Sequence, residues 1–143
     1  MRRNCRGTAL IEFALVLPLL VILVFGTIDG ARIFATWNRV KNAAHEGAAF
    51  AQFFPTQQSA VGTACAAPNN ITDRAKAEGT DLTITVSPAV TPACQTMGPS
   101  APVQPGGMVT VTATVPFSFI TPLAGVLWGK PTVRASVKMT VQG

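Results

Sequence analysis

Few side chains in this sequence belong to the types that do chemistry, and their spacing argues against catalysis. The one histidine, His45, is followed directly by Glu46. Adjacent residues on a helix point to different sides, so these two do not form an oriented acid–base pair. Cys5, Cys65 and Cys94 fit neither a CxxC nor a zinc-ligand spacing. Asp73, Glu78 and Asp81 read as a solvated helix end rather than a metal site. No HExxH, GxSxG, P-loop or GxGxxG motif is present. Without a nucleophile, base and stabiliser that could converge, the chain is expected not to be an enzyme and to need no metal or cofactor. The acidic group that stands out is Glu12, the only ionisable side chain between Leu10 and Ile28. A carboxylate within an apolar helix is costly, and is functional by default unless a partner lies near. The competing reading is a side chain that reaches back to the membrane surface.

The element that positions Glu12 is an apolar run long enough to cross a bilayer. Leu10 to Ile28 is nineteen residues and would rise about 28 Å as a helix. Hydrophobic residues make up 48% of the 143-residue chain and charged residues only 12%, a low charge content for a soluble domain. A cleaved secretory signal is the main rival, with Met1 to Gly7 as its basic start. The run is too long for that, contains a carboxylate, and ends in Gly26-Thr27-Ile28, which does not fit a small-x-small site. Arg2, Arg3 and Arg6 precede the run, and Arg32, Arg39 and Lys41 follow it. By count this is a tie under the positive-inside rule. The first three lie closer to the membrane, and Asp29 offsets Arg32. The net charge of +5 is scattered, without a basic patch interleaved with aromatics, so nucleic acid is not an expected partner.

Cys65 and Cys94 follow the span in a Thr-, Pro- and Gly-rich region. A disulfide between them is the favoured expectation and would place that region in an oxidising compartment. Closing a loop of about thirty residues would contribute roughly 3.5 kcal/mol in the chain-entropy model. Two buried free thiols are the alternative.

The stretch Arg6-Gly7-Thr8-Ala9-Leu10-Ile11-Glu12-Phe13, continuing to Pro18, resembles a type IV prepilin processing site of the Flp/Tad kind. Gly7 with Glu12-Phe13-Ala14 and Pro18 is most similar to the TadE-like pseudopilin family, as is Ala43-Ala44-His45-Glu46-Gly47-Ala48. His45 stands where the family usually has Arg, and Phe13 where Flp-type major pilins usually have Tyr. The resemblance covers roughly residues 6 to 50. It implies a leader, residues 1–7, cut after Gly7 by a prepilin peptidase, with Thr8 as the first mature residue. It implies roles for Glu12 and Phe13 in assembly with other pilin-like subunits and the Tad machinery. It also implies a single pass through the bacterial inner membrane, in contact with its lipid, with the N-terminus cytoplasmic and the rest periplasmic. Cys5 would leave with the leader. The cut would free an ammonium on Thr8 about one helical turn from Glu12. Pairing with the carboxylate of a neighbour, or with its own, would lower the cost of holding Glu12 in lipid.

Beyond the span, Ile33, Trp37, Val40, Ala44, Gly47 or Ala48, and Ala51 recur at spacings of three and four, the pattern of an amphipathic helix. Pro55 ends it. The helix is expected over residues 8–54, about 70 Å long. Residues 55–143 are expected to form an extracytoplasmic β-rich domain. A short helix capped by Asn is expected around Asn70 to Glu78. Alternation at Leu82–Val86, Val109–Val115 and Val133–Val141 indicates three strands, each with one buried face. The apolar connector from Pro116 to Gly129 is too short for a span. It reads as a loop folded over the sheet or as an exposed patch for a partner, the first being favoured. The fold class is α+β, a long N-terminal helix laid on a small antiparallel sheet. The functional expectation is a pilus-assembly subunit. The alternative is a membrane-tethered extracytoplasmic binding module with an uncleaved signal anchor.

Overall fold

The apolar run and the amphipathic stripe fuse into one helix: no proline separates them, and the Asp29-Gly30 pair at their junction does not interrupt it. The computed structural model describes residues 5–58, 70–89 and 103–142. Helix α1 (Cys5–Phe53) is 49 residues long and therefore about 73 Å. It begins ahead of the expected start at Thr8 and runs through Gly7. Pro18 lies inside it, removing one backbone donor without ending the helix. Then come α2 (Ile71–Lys76), β1 (Thr83–Ser87), β2 (Met108–Pro116), α3 (Pro122–Trp128) and β3 (Thr132–Thr140). The architecture is α+β, as the sequence pattern indicates.

The three strands form an antiparallel meander in the order β1-β2-β3. Val111 of β2 pairs with Val86 of β1 and Val137 of β3. The register therefore puts the apolar members of all three strands on one face and the hydroxyl and basic members on the other. On that outer face Thr112 and Ser136 share a hydrogen bond of 2.7 Å.

The inner face packs on the second half of α1. Near the helix end, Ala48 and Ala51 meet Val109, Val111 and Val141. Some turns earlier, Val40, Ala43 and Ala44 meet Leu82, Ala113 and Val115. Strand β2 thus runs antiparallel to α1. Small residues make the approach possible. A Cβ on Gly47 would stand 3.0 Å from Val111 Cγ1 and 3.1 Å from Ala75 Cβ. The sequence stripe is correct from Val40 onward, and Ala43 joins it. Ile33 and Trp37 are exposed instead, because the sheet reaches only to the level of Val115 and Leu82, beside Val40.

Helix α2 closes the far end. Asn70 caps it by accepting from Asp73 N at 2.8 Å, the geometry that satisfies an otherwise orphaned helix donor. Its Ile71 and Ala75 are fully buried. Arg39 of α1 pairs with Asp81, before β1, at 2.7 Å. Both partners are partly exposed, so this pair fixes register more than it adds stability.

The connector between β2 and β3 departs from expectation. It does not fold over the sheet. Phe117 is buried, but the chain then passes the end of the sheet to α1 and forms α3, whose Val126, Leu127 and Trp128 are exposed. Cys65 and Cys94 lie outside the described residues.

Gly47→Val is expected to lower the stability of the helix–sheet unit by about 1–3 kcal/mol through overpacking, read as a lower thermal midpoint of the full chain in detergent. Gly30→Ala, where an added Cβ meets nothing within 4 Å, should leave that midpoint unchanged or slightly raised.

Candidate functional site

Two regions of α1 carry polar chemistry beside apolar surface. The first is its N-terminal turn. Gly7, Thr8, Glu12 and Phe13 all lie on exposed helix. An added Cβ at Gly7 would meet nothing within 4 Å, so among the described residues no packing requirement selects glycine there. Glu12 is four residues beyond Thr8, about 6 Å along the axis. Among the described residues it has no ion-pair partner. Phe13 is exposed, as are the large apolar side chains of the run that follows. The window of the helix suited to crossing a membrane has none of its residues buried.

The second region lies at Asp29, directly after the apolar run. Asp29 is only 5% exposed, and its carboxylate is the anchor of the β2–β3 connector. Oδ1 accepts from Ile120 N at 2.9 Å. Oδ2 accepts from Thr121 N at 3.1 Å and from Thr121 Oγ1 at 2.6 Å. Thr121 stands at the N-cap position of α3 but makes no side-chain cap bond, because its hydroxyl is committed to Asp29. One turn on, Arg32 approaches Asp29 at 3.4 Å and donates to Ser118 O at 3.1 Å. Its guanidinium also lies 5.3 Å from the centroid of the Phe117 ring, a cation–π distance.

The Thr121 hydroxyl, then the Ile120 amide, hold the Asp29 carboxyl down to about 2 from its ordinary 3.8. Burial opposes them with a smaller effect than either, and the Thr121 amide and Arg32 add lesser lowering contributions. The cover over Asp29 is local: the connector occludes it, while the protein beyond is thin. Hydrogen bonding therefore outweighs desolvation.

The structure thus brings Asp29 to the connector and leaves Gly7, Thr8, Glu12 and Phe13 on exposed helix. Sequence reasoning took Asp29 only as a charge offsetting Arg32, which its 3.4 Å contact bears out. Its longer-range partners are 91 and 92 residues away in the chain, and no local signal points to them.

The fold and this geometry define a class: a small α+β head carried on one long helix that is a candidate membrane anchor. Among the described residues that helix is the one long and apolar enough to cross a membrane. A model of the TadE family, described as TadE-like protein, matches residues 7–49, which bears out the resemblance over that segment. No curated protein and no solved structure matches the chain.

Acid should test the Asp29 clamp. Its carboxyl titrates below the ordinary value, so its stabilising effect is full above pH 3.8 and is lost as pH falls toward about 2. The amide resonance of Ile120, followed in detergent-solubilised protein, is expected to titrate with a midpoint below 3.8. In Asp29→Ala that titration should be gone.

Proposed function

We propose that this chain is a pilin-like subunit, a pseudopilin, of Flp/Tad-type pilus assembly, processed after Gly7. The observation that carries the reading is the family match, which starts at Gly7 and runs to residue 49. It therefore spans the glycyl bond, Glu12, the apolar run and the Ala43–Ala48 segment, whose alanines and Gly47 are buried. The coarser statement, a link to pilus assembly through the TadE-like family, rests on the match alone. The finer one adds the chemistry of the N-terminal turn.

In this reading, residues 1–7 are a leader removed by a prepilin peptidase, and the bond that breaks joins Gly7 to Thr8. That an added Cβ at Gly7 meets nothing among the described residues supports selection by an external agent such as a peptidase. The new ammonium on Thr8 lies one turn from Glu12. A carboxylate inside the apolar run carries a desolvation cost, smaller near the membrane edge, where Glu12 stands, than at the bilayer centre, and a charge partner from a neighbouring subunit offsets that cost. Phe13, exposed beside Glu12, supplies apolar contact to the same neighbour. The partners are then other pilin-like subunits, the Tad assembly machinery and inner-membrane lipid. The N-terminus is cytoplasmic and the head, residues 55–143, faces the periplasm. Cys65 and Cys94 would be oxidised there.

Mass spectrometry of the membrane-extracted chain tests the cut: a species beginning at Thr8 is expected, and an intact leader would favour the tethered binding module instead. Gly7→Leu should leave the leader attached. Glu12→Ala should insert normally and reduce piliation strongly; normal piliation in that variant would remove Glu12 from the mechanism.

A further inference from the structure

Strand β2 runs back along α1, so the β2–β3 connector arrives where the apolar run ends. There α3 exposes Val126 (84%), Leu127 and Trp128 (67%) to the exterior. An apolar groove of about 930 Å³ lies between α3 and α1. Its walls include Val21, Ile22 and Phe25 of the candidate span on one side and Leu127 and Trp128 on the other. The exposed surface of α3 is therefore continuous with the surface that would face lipid. Trp128 also stacks near Phe119, with centroids 6.3 Å apart, and is followed by Gly129 and an exposed Lys130.

We propose that α3 and its flanks are a second membrane contact: a short interfacial element that rests in the periplasmic leaflet, with lipid acyl chains as the occupant of the α3–α1 groove. The proposal rests on α1 spanning the membrane. Three physical features argue for lipid. An apolar surface level with the end of a span, and joined to it, meets lipid as soon as the span is inserted. A tryptophan followed by a lysine suits the boundary, where the indole prefers the headgroup level and the ammonium reaches phosphate. Backbone donors near lipid must be paired, and at the entry to α3 Asp29 pairs the amides of Ile120 and Thr121. Asp29 thereby ties the interfacial element to the span. The head gains a second point of attachment, which fixes both its height above the membrane and its rotation about α1.

The test uses the full chain, reconstituted at high lipid dilution into phosphatidylcholine–phosphatidylglycerol vesicles whose acyl chains carry bromine near the headgroup. Trp37→Phe leaves Trp128 as the emitter, and Trp128→Phe leaves Trp37. Trp37 lies nine residues beyond Ile28, about 13 Å further along the helix. Trp128 is expected to lose most of its fluorescence to brominated lipid and Trp37 much less. Asp29→Ala should weaken quenching of Trp128 in chains that remain inserted. Resistance to alkaline carbonate reads the span separately. An inserted chain whose Trp128 is quenched no more than Trp37 overturns the proposal alone. So does a Trp128 shielded from both brominated lipid and aqueous iodide, since a protein partner would then cover the patch. A chain that carbonate extracts overturns the anchor and this proposal together.

Discussion

The close approach of β2 to α1 governs the rest of the arrangement. It depends on a run of side chains no larger than a methyl group, Ala43, Ala44, Gly47 and Ala48, all buried. The valines of the inner sheet face fill the space those residues leave, and Gly47 sits where even one more carbon would meet Val111 and Ala75 at the limit of contact. Packing of this kind tolerates little change in volume. Because β2 lies antiparallel to the helix, every segment that leaves its C-terminal end is directed back toward the apolar run. The position of the connector is a consequence of strand direction.

At the point of return, Asp29 takes three hydrogen bonds from Ile120 and Thr121. Charge-assisted bonds of this kind are stronger than neutral ones, and here they close a link across some ninety residues of sequence. Arg32 adds a carbonyl contact and an aromatic face, so one helical turn holds the connector by charge, hydrogen bond and ring. The head is therefore attached to α1 twice, once by apolar packing beyond Val40 and once by polar bonds at the edge of the span.

The N-terminal turn contrasts with this. Gly7, Thr8, Glu12 and Phe13 are all exposed. In the proposed reading that is their logic: the partners are a peptidase and neighbouring subunits. The helix continues from this turn into the head, with Pro18 inside it.

Much of the fold was legible because it is local. A nineteen-residue apolar run, spacings of three and four up to Ala51, an asparagine before a short helix and three stretches of strict alternation each reflect a backbone period. α1, α2 and the three strands follow them closely. The resemblance over residues 6–50 was legible for the same reason, its signature lying in contiguous residues. What the sequence could not convey was reach. The stripe does not say where the sheet stops, so Ile33 and Trp37 looked like core and are exposed. The apolar connector looked like a cover for the sheet, because composition reports that a segment avoids water and not which surface it meets. Only the antiparallel packing of β2 on α1 decided that it would meet the helix at Asp29. Local periodicity is written in neighbouring residues, whereas a hydrogen bond across ninety positions exists only once the chain has folded back.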